Sequence, residues 1–204
     1  MSSSIPNSFS QIHHTARYLL GHLTLMSKES GSHTRRLCTL AHRLGRAIKL
    51  SDSEMFILRY GTMLHDIGKL QMPLEVLHKK SALDEVETEL MRKHSKFGAT
   101  IAHLRKLPDE ICDAILFHHE RFDGGGYPYG LKGVEIPLAS RIIAVVDAYD
   151  TIVNERCYHE AQSGEIARAE IFNCAGTQFD PWVAEKFLDL LEVINARRGE
   201  LAAA

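Results

Sequence analysis

No stretch of this sequence reaches the ~18 consecutive apolar residues that a bilayer-spanning helix needs, so a membrane span is not expected. Cysteine is sparse and scattered. Cys38, Cys112, Cys157 and Cys174 form no CxxC pair, which disfavours both a disulfide framework and a thiolate zinc site. Reduced thiols in a cytoplasmic protein are the simplest reading. There is no surplus of either charge: 24 Lys and Arg stand against 26 Asp and Glu. Such a balance offers no general surface for DNA or for a membrane, although a local basic pocket could still hold a small anion. The opening MSSSIPNSF lacks the basic and apolar regions of a secretion signal. Internal repeats, low-complexity tracts and strand-like alternation are missing as well.

What is present is helical periodicity over a length of 204 residues, enough for one domain with a substantial core. Apolar residues recur at helical spacing from about Gln11 to Ser27 and from about Ser32 to Ile48. Ser51-Asp52-Ser53-Glu54 has the form of an N-cap for a helix running to about His65. Gly68 and Pro73 interrupt the pattern there. A helix is expected from Asp84 to about Lys106, and another from Pro108 to near His118-His119. Residues 120–137, ERFDGGGYPYGLKGVEIP, are too rich in glycine and proline for regular helix. A loop of that length in a compact domain is usually functional or disordered. Helices over 139–152, 163–174 and 181–196 complete the chain, with Asp180-Pro181 as a cap and first-turn signal. The expected fold is therefore all-α, a helical bundle.

Histidine is the outlier, with 12 in the chain. His13, His14, His22, His42, His78, His103 and His159 show no ligand pattern and read as surface or core residues. The remaining five, His33, His65, His94, His118 and His119, fall in one constellation with carboxylates along the chain. Glu29 and His33 are four apart, one turn on one helix face, the geometry of two ligands sharing a metal. A solvent-facing pair has the same spacing. His65 and Asp66 are adjacent, so only a helix end, here just before Gly68, turns both inward. His94, the adjacent His118-His119, and Asp147 behind the apolar run AVV follow. A carboxylate in that position is expected in the interior, where it needs a partner. Mixed imidazole and carboxylate donors suit Fe, Mn, Zn, Co or Ni better than Ca or Mg. An aspartate such as Asp66 can bridge two ions, and eight candidate ligands suffice for two or three. The chemistry that such a set suggests is hydrolysis of a phosphate ester.

With these motifs in order, the sequence resembles an HD-GYP domain of the HD phosphohydrolase superfamily. The resemblance rests on GSHTRR around His33, LHDIGK around His65 and RKHSKFGA around His94. HHERFDGGGYP from His118, VDAYD from Val146 and AGTQFDP from Ala175 complete it. It implies a bundle of about seven helices with a long Gly-rich GYP loop. The organisation expected is a lead-in with a helix at 1–26, the HD-GYP domain at 27–197 and a tail at 198–204. The implied activity is metal-dependent hydrolysis of cyclic di-GMP to pGpG and onward to GMP. His33, His65, Asp66, His94, His118, His119 and Asp147 are then metal ligands, with Glu29 in the position that supports a third ion in some members. The implied cofactors are two or three divalent ions, iron or manganese. Asp66 and Lys69 are the implied catalytic residues, Lys69 contacting the scissile phosphate and neutralising charge on its oxygens. Gly126, Tyr127 and Arg156 would meet the nucleotide.

One departure bears on substrate. Where the family reads RPYR or RPYK, this chain has Arg156-Cys157-Tyr158-His159, so His159 replaces a usual cation and would hold phosphate more weakly. The alternatives are a weakly active or non-catalytic module that binds a cyclic dinucleotide, and a hydrolase of a different cyclic dinucleotide. A protein partner docking on the GYP loop and a homodimer are both compatible with the sequence. No sensory region precedes the motifs, which reads as a stand-alone protein or an output domain.

Overall fold

The computed structural model describes residues 8–154 and 161–202, with only the backbone given for Lys28, Glu29 and residues 197–202. Among the described residues it is helical without a strand; the one β-bridge joins Ala175 to Phe179. The expected all-α bundle is what forms.

Helix α1 (Phe9–Met26) starts at a capping box in which the Ser8 hydroxyl accepts from the Gln11 amide. Ser27 caps α2 (Lys28–Ala47), and Ser51 with Glu54 forms the expected capping box of α3 (Asp52–Leu64). A 3-10 turn (Ile67–Gln71) and the single-turn α4 (Leu74–Leu77) follow. Next come α5 (Glu85–Arg92), α6 (His94–Leu104) and α7 (Asp109–Leu116). The long loop leads to α8 (Leu138–Val153), α9 (Gly164–Asn173) and α10 (Pro181–Ala202). Asp180 caps α10 as expected, accepting from the Trp182 and Val183 amides.

One expected element is divided. The helix read from Asp84 to Lys106 breaks at Lys93 into α5 and α6. The break falls where the chain after α3 packs closest. Gly68 lies so close to the start of α6 that an added Cβ would sit 1.8 Å from the His94 carbonyl oxygen. Gly98 keeps the approach open one turn on, where a Cβ would lie 2.8 Å from Ile115 Cγ2 and 3.2 Å from the Gly68 amide. A side chain at either position would force the 3-10 turn away from α6.

Two buried apolar clusters flank the site. Leu37, Leu44, Ile142, Val146 and Phe187 belong to one, built on α2, α8 and α10. Ile12, Leu23, Tyr60, Leu64 and Ile111 belong to the other, built on α1, α3 and α7. Helix α3 contributes to both, Leu58 to the first and Leu64 to the second. Its C-terminal end therefore emerges between the two clusters, and His65-Asp66 stand there. The seam fixes the pair, because each fully buried leucine beside it contributes about 1.5–3 kcal/mol.

Candidate metal centre

Five histidines and two aspartates meet at this seam from α2, the end of α3, the start of α6, the segment after α7, and α8. His33, His65 and Asp66 present ligand atoms that all lie within 4.8 Å of one another, and so do His94, His118 and His119. Asp66 stands between the groups. Its Oδ2 is 3.4 Å from His65 Nε2 and its Oδ1 is 3.5 Å from His94 Nε2. Asp147 joins the first group, with Oδ1 3.3 Å from His33 Nε2. It is half-buried and faces a cavity, where the sequence placed it in the interior.

One device recurs. Nδ1 of His65 is 2.9 Å from the Thr62 carbonyl oxygen, that of His94 is 2.6 Å from Met91 O, and that of His118 is 2.6 Å from Ile115 O. A carbonyl can only accept, so Nδ1 is the protonated nitrogen in each ring and Nε2 carries a lone pair. His33 is held likewise, Nδ1 lying 2.7 Å from Asp150 Oδ2. Arg36 in turn donates to both oxygens of Asp150 at 2.6 and 2.8 Å, and Asn154 donates to Oδ1 at 3.0 Å. Such outer partners orient a metal-binding imidazole and raise its basicity.

The donor set fits a divalent metal. His65 Nε2 is buried with no hydrogen-bond partner. Nε2 of His94 and Nε2 of His118 lie 3.2 Å apart, both as lone pairs. Two lone pairs at that distance repel unless a cation or a proton lies between them. Protonation is disfavoured: burial first, then neighbouring histidines, holds His118 well below its ordinary value and His119 down to about 3. His94 is also lowered by burial, against the pull of Asp66.

The first group is charged differently. Burial opposes a positive His33, but its hydrogen bonds to Asp147 and Asp150 outweigh burial and raise it to about 9. Burial opposes ionisation of Asp66, yet the Lys69 ammonium holds its carboxyl well below the usual range. Lys69 Nζ donates to Asp66 Oδ2 at 2.7 Å.

A cavity of about 500 Å³ opens over the centre, lined by His33, Asp66, Lys69, His94, His119 and Asp147. Tyr127 borders it. Its ring stacks on His119 with centroids 4.8 Å apart, and the Arg92 guanidinium sits 5.5 Å from its centroid. Burial pushes its hydroxyl up, so the phenol stays protonated at neutral pH. Val76, Leu77, Leu83 and Met91 form an apolar wall.

His33, His65, Asp66, Lys69, His94, His118, His119, Tyr127 and Asp147 are thus brought together. Gly126 is close by, but its tight approach is internal: a Cβ there would lie 2.3 Å from the Arg121 amide nitrogen. The Glu29 side chain, Arg156 and His159 lie outside the described residues. Sequence reading gave no role to Asp150, Arg36 or Glu120. Asp150 was visible as the second aspartate of VDAYD, one turn from Asp147 on the same helix face. Buried Glu120 ties the GYP loop, accepting from the amides of Tyr129, Gly130 and Leu131 at 2.8, 3.2 and 3.1 Å.

The profile of the HD domain family matches residues 21–183. The chain belongs to the HD domain family. Within it, the motif set is that of the HD-GYP branch, as the sequence indicated. A 3′3′-cGAMP-specific phosphodiesterase 2 of Vibrio cholerae is 33% identical over 177 residues, covering 86% of this chain and 34% of that protein. A cyclic di-GMP phosphodiesterase of Thermotoga maritima is 36% identical over 169 residues, covering 82% of this chain and 46% of that protein. The chain therefore spans less than half the length of these two relatives. Among solved structures, the HD domain of the L. monocytogenes phosphodiesterase PgpH superposes with a TM-score of 0.64 at 18% identity, over 88% of this chain and 98% of that one. That likeness is one of fold. No described helix of this HD domain is long and apolar enough to cross a membrane.

Proposed function

We propose that this HD domain is a metal-dependent phosphodiesterase for cyclic dinucleotides, with cyclic di-GMP as first substrate and pGpG, then GMP, as products. The observation that carries the reading is the pair of ligand groups sharing Asp66 beneath a cavity bordered by Lys69. His33, His65, Asp66 and Asp147 would hold one ion, and Asp66, His94, His118 and His119 a second; iron and manganese suit this mixed donor set. Bound divalent ions supply Lewis acidity, lowering the pKa of a water and offsetting charge on phosphoryl oxygens.

The protein's own groups do the rest. The carbonyls of Thr62, Met91 and Ile115 keep three imidazoles in the tautomer that offers Nε2 inward. Lys69 brings an ammonium to the cavity at the carboxylate shared by both groups, where it can neutralise a phosphate oxygen that gains charge. Tyr127 keeps its proton and can donate to a nucleotide oxygen. The apolar wall at Val76, Leu77 and Leu83 gives a base a dry face.

A second reading has a specific observation behind it, since the relatives include enzymes named for 3′3′-cGAMP as well as for cyclic di-GMP. The test is turnover of both dinucleotides by iron- or manganese-loaded protein under anaerobic conditions, with products separated by chromatography. Linear dinucleotide or mononucleotide from cyclic di-GMP, absent with Asp66→Ala, is expected. A higher kcat/KM on 3′3′-cGAMP would move the substrate assignment. No product from either at full metal loading would reject the enzyme and leave a binding module.

A further inference from the structure

A second cavity, of about 390 Å³, lies between α2 and α3 and shares no lining residue with the cavity over the metal centre. Arg35, His42, Arg43 and Arg59 line it, and no Asp or Glu does. Buried Ala41 and Leu58 form its floor, with Met55 and Met63 beside them.

What sets these arginines apart is their convergence on one concavity with no acidic lining. Arg36, Arg92, Arg121, Arg141 and Arg168 each pair with a carboxylate. Among the described residues, Arg35, Arg43 and Arg59 have no carboxylate ion pair; Arg59 lies beside the Tyr60 ring, 5.7 Å from its guanidinium carbon, and near Cys38. Three cations without a carboxylate around one concavity, in a chain of net charge −2, leave a demand for an anion that the cavity's own lining does not meet. A guanidinium presents its N–H groups as a planar fork that matches phosphate. Thioether side chains adapt to a flat apolar group. The volume falls in the range of small-molecule pockets, about 300–1,000 Å³, which favours a compact ligand over a protein surface.

We propose that this cavity is an effector site for a phosphate-bearing small molecule of the nucleotide class, its phosphate on the arginine rim and its base against Met55 and Met63. The site has a direct route to the metal centre. Helix α2 carries Arg35 and Arg43 together with His33, and α3 carries Arg59 and ends at His65. A ligand bridging Arg43 and Arg59 therefore clamps the two helices that bring His33 to His65.

The test uses the full chain treated with chelator, with GMP and inorganic phosphate as probes, read by calorimetry and by the methionine methyl resonances. Saturable GMP binding that shifts Met55 and Met63 is expected. Arg43→Glu and Arg59→Glu should each weaken it at least about tenfold, Arg59→Lys less, and Asp66→Ala should not change it. The three arginines are exposed, so melting temperatures of the variants should match the parent and a folding defect is readily separated. Absence of saturable binding, binding unchanged in Arg59→Glu, or binding lost in Asp66→Ala would overturn the proposal. Phosphate binding as tightly as GMP would overturn the nucleotide assignment. Because binding is read without metal, the result is independent of whether the centre turns over a cyclic dinucleotide.

Discussion

The two ligand groups share imidazole donors but are electrically unlike, and only the first has carboxylates among its own members. The group of His33, His65 and Asp66 lies in a mesh of ion pairs: Lys69 on Asp66, Asp147 and Asp150 on His33, Arg36 on Asp150. Among the described residues the group of His94, His118 and His119 has one such contact, His94 with Asp66; burial keeps its imidazoles neutral, and two of their lone pairs face each other. Opposite preparations lead to one property, the readiness to hold a cation. One group does it by balancing charge, the other by withholding it.

Asp66 is the residue both groups share, so Asp66→Ala should have the largest effect. A loss of several kcal/mol of transition-state stabilisation, on the order of 10³-fold or more in single-turnover rate, is expected. Retention of rate would break the shared-centre reading. Gly68→Ala should come next. The added Cβ meets the main chain of α6 at a distance no side-chain shift relieves, so about 3 kcal/mol or more of stability should go. Denaturant unfolding measures it, and an unchanged midpoint would show that the apposition is slack.

Asp150→Asn sharpens the contrast, since it removes a charged outer partner that the first group has and the second lacks. Metal affinity should fall about 10–100-fold at one class of site only, by titration against a competing chelator. A uniform fall would merge the two groups.

The smallest effect is in pH. His33 is raised to about 9, so in chelated protein its contribution to stability is full below its ordinary pKa of about 6.5 and is lost as pH rises through about 9. His94, His118 and His119 are lowered, so their contribution is full above about 6.5 and is lost as pH falls below it. Melting temperature should therefore peak between these values, and a monotonic profile would contradict the contrast. By the same signs, metal uptake near pH 8 should displace about one proton from the first group and none from the second. Calorimetry in buffers of different ionisation enthalpy separates the two.

The helices were legible because their signals are local: apolar residues at helical spacing, the Ser51–Glu54 box, the Asp180 cap. The ligands were legible as residue types in a motif order. The break at Lys93 was not, because residues 84–106 carry no proline or cap signal there, and the close packing of Gly68 on that point is distant in sequence. Nor was the fixing of three histidine tautomers, which is done by carbonyls that every residue owns. The ion pairs of Asp150 and Glu120's hold on the GYP loop depend on which distant groups the fold delivers, and composition does not encode that.

The contact between Gly68 and the backbone of α6 has a consequence for divergence. The spacing between the two ligand groups is gauged by main chain against main chain, not by the bulk of any side chain. Substitutions in the flanking cores can accumulate, drift and compensate without altering that gauge. Two chains that agree at only a third of their positions can then keep the same separation of ligands, while the packing around it is rewritten.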